Sequence, residues 1–302
     1  MCVQNAVFNE KTQLEFVIFS RAFGCKDRAA WQGVTQEALD RRTAWIMERV
    51  VSEDISEHMN KVYERTAEQC AANQAHQFVI PELFEFVSLF NDGELVLDMG
   101  CGNGRDAFFM CSSDQAYRAS VMRSTVDPST MPTQALRVKA IDASAHMIKI
   151  AERVAKRVDA SGAVRLRYPP IFKQADMHDM SGWARLQQGW FAGVWSCASF
   201  LTHTPRQWIE PTLRQIACLL KRGGIFAVSY TQRQRDGGYD HLKISSTGEI
   251  NYFSHPDPSE ICKLAAKCGL LPIRPPRTSD YVGAGGDVVQ DLFVTQFFRK
   301  EM

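Results

Sequence analysis

The chain has 302 residues, is 45% hydrophobic and 23% charged, and carries a formal net charge of +1. That balance excludes a disordered or fibrous polymer, and it gives no overall electrostatic pull toward nucleic acid or an anionic membrane. The nine cysteines form no Cys-x-x-Cys pair and no zinc-finger spacing, so reduced thiols, a cytoplasmic setting and no metal are expected.

The N-terminus lacks the basic start and apolar core of a secretion signal, and no apolar run reaches the roughly 18 residues of a membrane span. Residues 1–90 are predicted to be a helical cap. Glu37 to Val51 sets Leu39, Trp45, Ile46, Met47 and Val50 in a helical stripe. Helical character continues over 53–76, and 82–90 is amphipathic after Pro81. Asn91-Asp92-Gly93 then reads as a turn.

From Glu94 to the C-terminus the pattern alternates strand and helix. Strands are predicted at 94–98, 137–142, 170–175, 191–198 and 224–230. Helices are predicted at 105–111, 144–159, about 181–188, and 206–221. Such alternation predicts a parallel sheet with helices on both faces. A helix over 258–268 stops at Gly269, and 270–274 and 288–298 read as final strands. Two stretches exceed this core: the polar 112–136, expected to be a surface insertion, and 231–257.

The most specific stretch is Leu95-Val-Leu-Asp-Met-Gly-Cys-Gly-Asn-Gly-Arg-Asp106, a buried strand running into a glycine turn. Glycine lets backbone approach a ligand closely. The dinucleotide pattern G-x-G-x-x-G is not met, because Arg105 holds the third glycine position, and no Gly-Lys-Ser/Thr of a phosphate loop follows. Asp98 closes the strand where a phosphate would otherwise approach, which suits a cationic or amine-bearing ligand.

This stretch resembles the D-x-G-x-G-x-G motif of class I S-adenosylmethionine-dependent methyltransferases. The resemblance implies a Rossmann-like, seven-stranded mixed sheet with the last strand antiparallel, helices on both faces and an N-terminal helical lid. It implies S-adenosyl-L-methionine as methyl donor and S-adenosyl-L-homocysteine as product. Asp98, Gly100, Gly102, Asn103, Gly104 and Arg105 would border the donor. Asp142 and Ala143, after the second strand, match the family's ribose-binding acid. Asp142 or Ser144 could equally cap the next helix. Met147 would pack on the adenine, or simply in the core.

Asp176-Met177, after the third strand, resembles the adenine motif. The fourth strand and its continuation, Phe191 to Arg206, resemble the small-molecule members, with Ala192 in place of an Asp. There Cys197 and Ala198 would touch the cofactor. His203 is a candidate general base, since its pKa lies near neutrality, or it caps a helix or orients a loop. Leu220-Lys-Arg-Gly-Gly matches a structural turn, with Arg222 replacing Pro. Tyr63 and Ala67 match the family's lid helix, while Cys70 stands where a second Tyr is usual.

No Asn/Asp-Pro-Pro-Tyr/Phe follows the fourth strand, against adenine or glutamine N-methylation. No Pro-Cys stands there either, against a cytosine C5 enzyme. The basic residues Arg153, Lys156, Arg157, Arg165 and Arg167 read as a solvated helix face and the strand beyond it. The expected partner is therefore a small-molecule (or peptide) O or N acceptor, with no nucleic acid and no membrane, in a monomer or homodimer. The alternatives are a non-catalytic S-adenosylmethionine-binding protein and an RNA-modifying enzyme. Tyr239, His241, Tyr252, Tyr281 and Asp287 are the substrate-contact candidates, on 231–257 and 278–288.

Overall fold

The computed structural model describes residues 55–75, 79–122, 127–161, 164–182, 187–233, 240–244, 250–282 and 288–302. The stripe expected over 37–51, and much of the helix expected over 181–188, lie outside them. Helix α1 (Ile55–Ala75) contains the expected lid segment. Helix α2 (Pro81–Ser88) starts at a proline, whose fixed φ suits the first helical position.

Strand β1 (Leu95–Met99) leads through the glycine turn into α3 (Arg105–Cys111). The short α4 (Gln115–Ser120) follows, then β2 (Arg137–Asp142), α5 (Ala145–Ser161), β3 (Ile171–Gln174) and β4 (Phe191–Cys197). Next come a helical turn α6 (Phe200–His203), α7 (Arg206–Leu219) and β5 (Leu220–Arg233). Strands β6 (Asp240–Ile244) and β7 (Ile250–Ser254) precede α8 (Pro258–Lys267). The chain ends in β8 (Leu270–Pro272), β9 (Arg277–Val282) and β10 (Val288–Lys300).

The main sheet runs β3-β2-β1-β4-β5-β10-β8, with β9 also on β10. Strands β1 to β5 pair in parallel, and β10 is antiparallel to β5, β8 and β9. Because side chains alternate, β1 feeds two cores. Leu97 and Met99 join Phe200, Leu213, Ile261 and Phe298 on one face, while Val96 joins Phe86, Phe109, Trp195 and Phe297 on the other. Burial on both faces explains why β1 and β4 read as nearly continuous apolar runs.

The ends of the sheet differ from the sequence expectation. Pro275-Pro276 interrupts the outer edge, so β8 and β9 share one side of the long β10. Strand β9 was not expected, because Arg277-Thr-Ser-Asp-Tyr-Val carries no clear alternation. Strand β5 starts at Leu220, four residues before its expected start, and its pairing with β4 slips between Phe191 and Gly193.

Both expected insertions contain ordered elements. In 112–136, Arg118 is fully buried, and its guanidinium donates to the carbonyls of Phe109, Met110, Pro132 and Gln134. Four neutral acceptors offset the burial of a cation, which still lowers it to about 10. In 231–257, β6 and β7 form an antiparallel pair that packs its second strand against α1 and α6. No helix among the described residues is long and apolar enough to cross a membrane.

Candidate functional site

Strand order reverses at β1, whose two neighbours are β2 and β4. Open parallel sheets bind ligands in the crevice that such a reversal leaves beyond the strand ends. Here that crevice is a cavity walled by the segments after β1, β2, β3 and β4, with Met59, Asn60 and Tyr63 of α1 completing the lining.

The glycine turn shapes its floor. Gly100 has φ +78°, and a Cβ there would fall on Ser199 Oγ. Gly104, at φ +85°, N-caps α3, and a Cβ there would meet the Phe172 ring at 2.8 Å. Gly104 is the one expected cofactor residue absent from the cavity lining; it serves the packing of Phe172 and Phe108 instead. Asn103 holds the turn to α1 by donating to the Ala71 carbonyl at 3.3 Å, and its Oδ1 accepts from the Arg105 N–H at 3.1 Å.

Three acids stand after or at the ends of adjacent strands. Asp98 is 2% exposed, and its Oδ2 has no hydrogen-bond partner among the described residues. The neighbouring cation is committed elsewhere. Arg105 Nε donates to Asp106 Oδ1 at 2.7 Å, and Asp106 Oδ2 accepts from Trp195 Nε1 at 2.9 Å. Burial first, then the Asp106 charge, pushes the Asp98 carboxyl well above the ordinary carboxylate range, against the pull of Arg105.

Asp142 Oδ2 accepts from the Gly102 N–H at 3.0 Å, and Oδ1 from the Ser144 N–H at 2.9 Å. Burial nevertheless raises its pKa, with those two N–H groups opposing. The capping role is therefore divided: Asp142 holds the Ser144 N–H, and Ser144 Oγ accepts from the Met147 N–H at 3.1 Å. Asp176 accepts from the His178 N–H at 2.8 Å and from Asn60 Nδ2 at 3.3 Å. Burial pushes its carboxyl up, but the bonds from His178 and Asn60 hold it below its ordinary value. Ala143, Met147 and Met177 complete this wall.

After β4 the backbone is strained. Ala198, at φ +49°, is the non-glycine residue with left-handed backbone among the described residues, a conformation costing roughly 1–2 kcal/mol. Its N–H donates to the Ser229 carbonyl at 2.8 Å, and the turn carries Ser199 over Gly100. Cys197 lines the same wall, its thiol pushed up by burial.

His203 also lines the cavity, and both its ring nitrogens are engaged. Nδ1 lies 2.7 Å from the Tyr252 carbonyl and Nε2 lies 2.8 Å from the Tyr63 hydroxyl. A carbonyl only accepts, so Nδ1 carries the proton and Nε2 accepts from Tyr63. Burial lowers the imidazole to about 4, with the Tyr252 carbonyl opposing. Tyr252 is itself buried behind His203 and does not line the cavity. Tyr239 and Asp287 lie outside the described residues, as do the side chains of His241 and Tyr281.

Met59, Asn60, Cys101, Asp106, His178, Ser199 and Thr204 line the cavity without having been singled out from sequence. Met59 and Asn60 could have been found from helical spacing, since they precede Tyr63 by one turn. The hairpin behind His203 also had a signal: Leu242 and Ile244, then Ile250 and Tyr252, alternate around the turn-forming run Ser245-Ser-Thr-Gly-Glu249.

No family model matches the chain, and no curated protein matches it. Solved structures do. An S-adenosylmethionine-dependent methyltransferase from Methanosarcina mazei superposes with TM-score 0.56 at 15% identity, covering 74% of this chain and 99% of that one. The fold is that of the class I methyltransferases. Two further structures share this methyltransferase fold. The 1,6-didemethyltoxoflavin-N1-methyltransferase of Burkholderia thailandensis, with S-adenosylhomocysteine bound, gives TM-score 0.51 at 15% identity over 82% of this chain and 88% of that one. The [4+2]-cyclase SpnF gives 0.56 at 14% identity over 82% and 96%. A cyclase among the methyltransferase-fold neighbours means that the chemistry must be argued from the site.

Proposed function

We propose that the chain is an S-adenosylmethionine-dependent methyltransferase acting on an O or N atom of a small molecule. The observation that carries this reading is the buried Asp98 carboxyl, with Oδ2 unpartnered among the described residues, beside a glycine turn and in one cavity with Asp142 and Asp176. A buried acceptor of this kind calls for a donor from a ligand. An amino group carried near a sulfonium answers that call; a pyrophosphate does not.

In this reading Asp98 and Gly100 hold the amino-acid end of the donor. Each Asp142 oxygen, already holding one backbone N–H, keeps a lone pair for a ribose hydroxyl. Asp176 and the Met177 N–H take the adenine edge, with Met147 against the ring. When bound, S-adenosylmethionine supplies a methyl on a sulfonium, already a good leaving group, so the protein's task is chiefly to position the acceptor and exclude water. Met59, Asn60 and Tyr63 of α1 roof the cavity, which favours a small acceptor over a polymer.

Calorimetry with S-adenosylhomocysteine tests this. Asp98→Ala and Asp142→Ala should each cost about 1.5–3 kcal/mol, roughly ten- to a hundred-fold in affinity. Binding of NAD but not S-adenosylhomocysteine would overturn the reading. In a second reading the donor binds without giving up its methyl; a cyclase of the same fold shows only that the fold serves other chemistry too. Release of S-adenosylhomocysteine over a panel of metabolites separates the two.

A further inference from the structure

Arg105 lines the cavity together with two carboxyls, Asp106 and Asp98, and the charges of both act on it. Its bond goes to Asp106, at 2.7 Å from Nε to Oδ1. The sheet explains that choice. Trp195 of β4 is the register partner of Asp98 on β1, so both side chains leave the sheet on the same face. Helix α3 packs its Ala107, Phe109 and Met110 on that face and carries Arg105 and Asp106 at its start. Trp195 is fully buried, its ring 5.3 Å from that of Phe86, and its Nε1 donates to Asp106 Oδ2 at 2.9 Å. Each Asp106 oxygen thus has a donor, one of them anchored in the core. Asp98, next to that indole in the sheet, keeps Oδ2 unpartnered among the described residues.

We propose that Trp195 and Asp106 are positioning residues that hold Arg105 off Asp98, and that the neutral pair so formed lets the site favour S-adenosylmethionine over S-adenosylhomocysteine. This rests on the methyltransferase reading above. Both ligands bring an ammonium to Asp98, and they share their ribose and adenine. They differ in the methyl and in the positive charge of the sulfonium. Their affinity ratio therefore reads the charge that the protein sets beside the sulfur. With Arg105 matched by Asp106, that pair adds no net charge there. An unmatched guanidinium would do two things. It would fill the free oxygen of Asp98, weakening both ligands, and it would repel the sulfonium, weakening the donor more.

The test is calorimetry of the full chain with each ligand in turn, without an acceptor. Asp106→Asn should weaken both ligands and lower the donor-to-product affinity ratio by about tenfold, the effect of one unmatched charge in a largely buried site. Arg105→Gln should raise the ratio. The double variant Arg105→Gln/Asp106→Asn should bring the ratio back to within about threefold of wild type, since the pair is again neutral. Trp195→Phe keeps the ring and the charges but drops the hold on Asp106 Oδ2, so both affinities should fall, by less than in Asp106→Asn. A purely structural role for Asp106 predicts instead that the double variant loses as much as Asp106→Asn, with no change in the ratio.

A ratio that stays flat across the set overturns the proposal. So does an Arg105→Gln variant that binds both ligands as weakly as Asp98→Ala, because Arg105 would then be a ligand contact itself. Should Asp106→Asn fail to fold alone, Arg105→Gln and the double variant decide by the same ratio. A wild type that binds neither ligand overturns the methyltransferase reading and this inference with it, whereas a flat ratio with both ligands bound leaves that reading standing.

Discussion

Asp98 and Asp106 show how neighbouring carboxyls on one turn divide two tasks. Asp106 is matched by Arg105 and Trp195, whereas Asp98 is left with an acceptor oxygen unpartnered among the described residues. Such an arrangement costs stability in the ligand-free state. The folded pKa of Asp98 lies above its ordinary 3.8, so its protonated form adds stability at low pH. That contribution is lost as pH rises from the ordinary value through the raised one. Asn keeps the shape and stays neutral. Asp98→Asn should therefore melt higher than the wild type near pH 7.5, by roughly 3 °C, with the gap closing toward pH 4. It should at the same time bind S-adenosylhomocysteine more weakly. Calorimetric scans across pH, run with and without the nucleoside, check both signs. An equal or lower melting temperature at pH 7.5 would mean that the carboxylate is compensated. The place of Asp98 at the end of β1 and in the cavity wall was legible from sequence because it closes an apolar strand. The division of labour was not, because it depends on which acid the Arg105 side chain turns toward.

At the scale of elements, the loop after β4 holds the strain that shapes the cavity. Ala198→Gly should be neutral or stabilising by up to about 1 kcal/mol, since glycine takes positive φ freely. Ala198→Val should destabilise by about 2 kcal/mol or more, because a β-branched residue there is a genuine outlier. Denaturant titration of both variants tests the pair, and equal effects would sink the assignment of strain. Strands β1, β2 and β3 were readable because strand and helix alternate along the chain and each strand runs into an acid: Asp98 and Asp142 lie on the first two, and Asp176 follows the third. Ala198 itself offers no such signal; its φ follows from the crossing of Ser199 over Gly100, a contact between segments 99 positions apart. The polar β9 was hidden for a related reason: its pairing is supplied by β10, not by its own pattern.

Across the whole molecule, the far edge of the sheet is tied back to the N-terminal side of the core. Arg274, between β8 and β9, lies over the Phe297 ring at 3.9 Å and pairs with Glu85 of α2, which also receives Arg277 at 2.8 Å. Glu85→Ala would strand a largely buried cation, and a loss of about 2 kcal/mol is expected, discounted for the partial exposure of Glu85. Glu85→Gln should recover part of it through a hydrogen bond. Denaturation midpoints of the two variants check this order.

A second long-range tie, the carbonyl of Tyr252 on His203, has a different kind of robustness. It is a main-chain atom, so no exchange of the side chain at 252 removes it. The hairpin is thus free to drift in sequence while continuing to set which ring nitrogen is protonated. Only a change in chain length could undo that. One residue added or lost before Tyr252 would turn the adjacent carbonyl to the opposite edge of the strand and leave the imidazole to choose its own tautomer. In this protein the tautomer of His203 is written in the spacing of a segment, not in its letters.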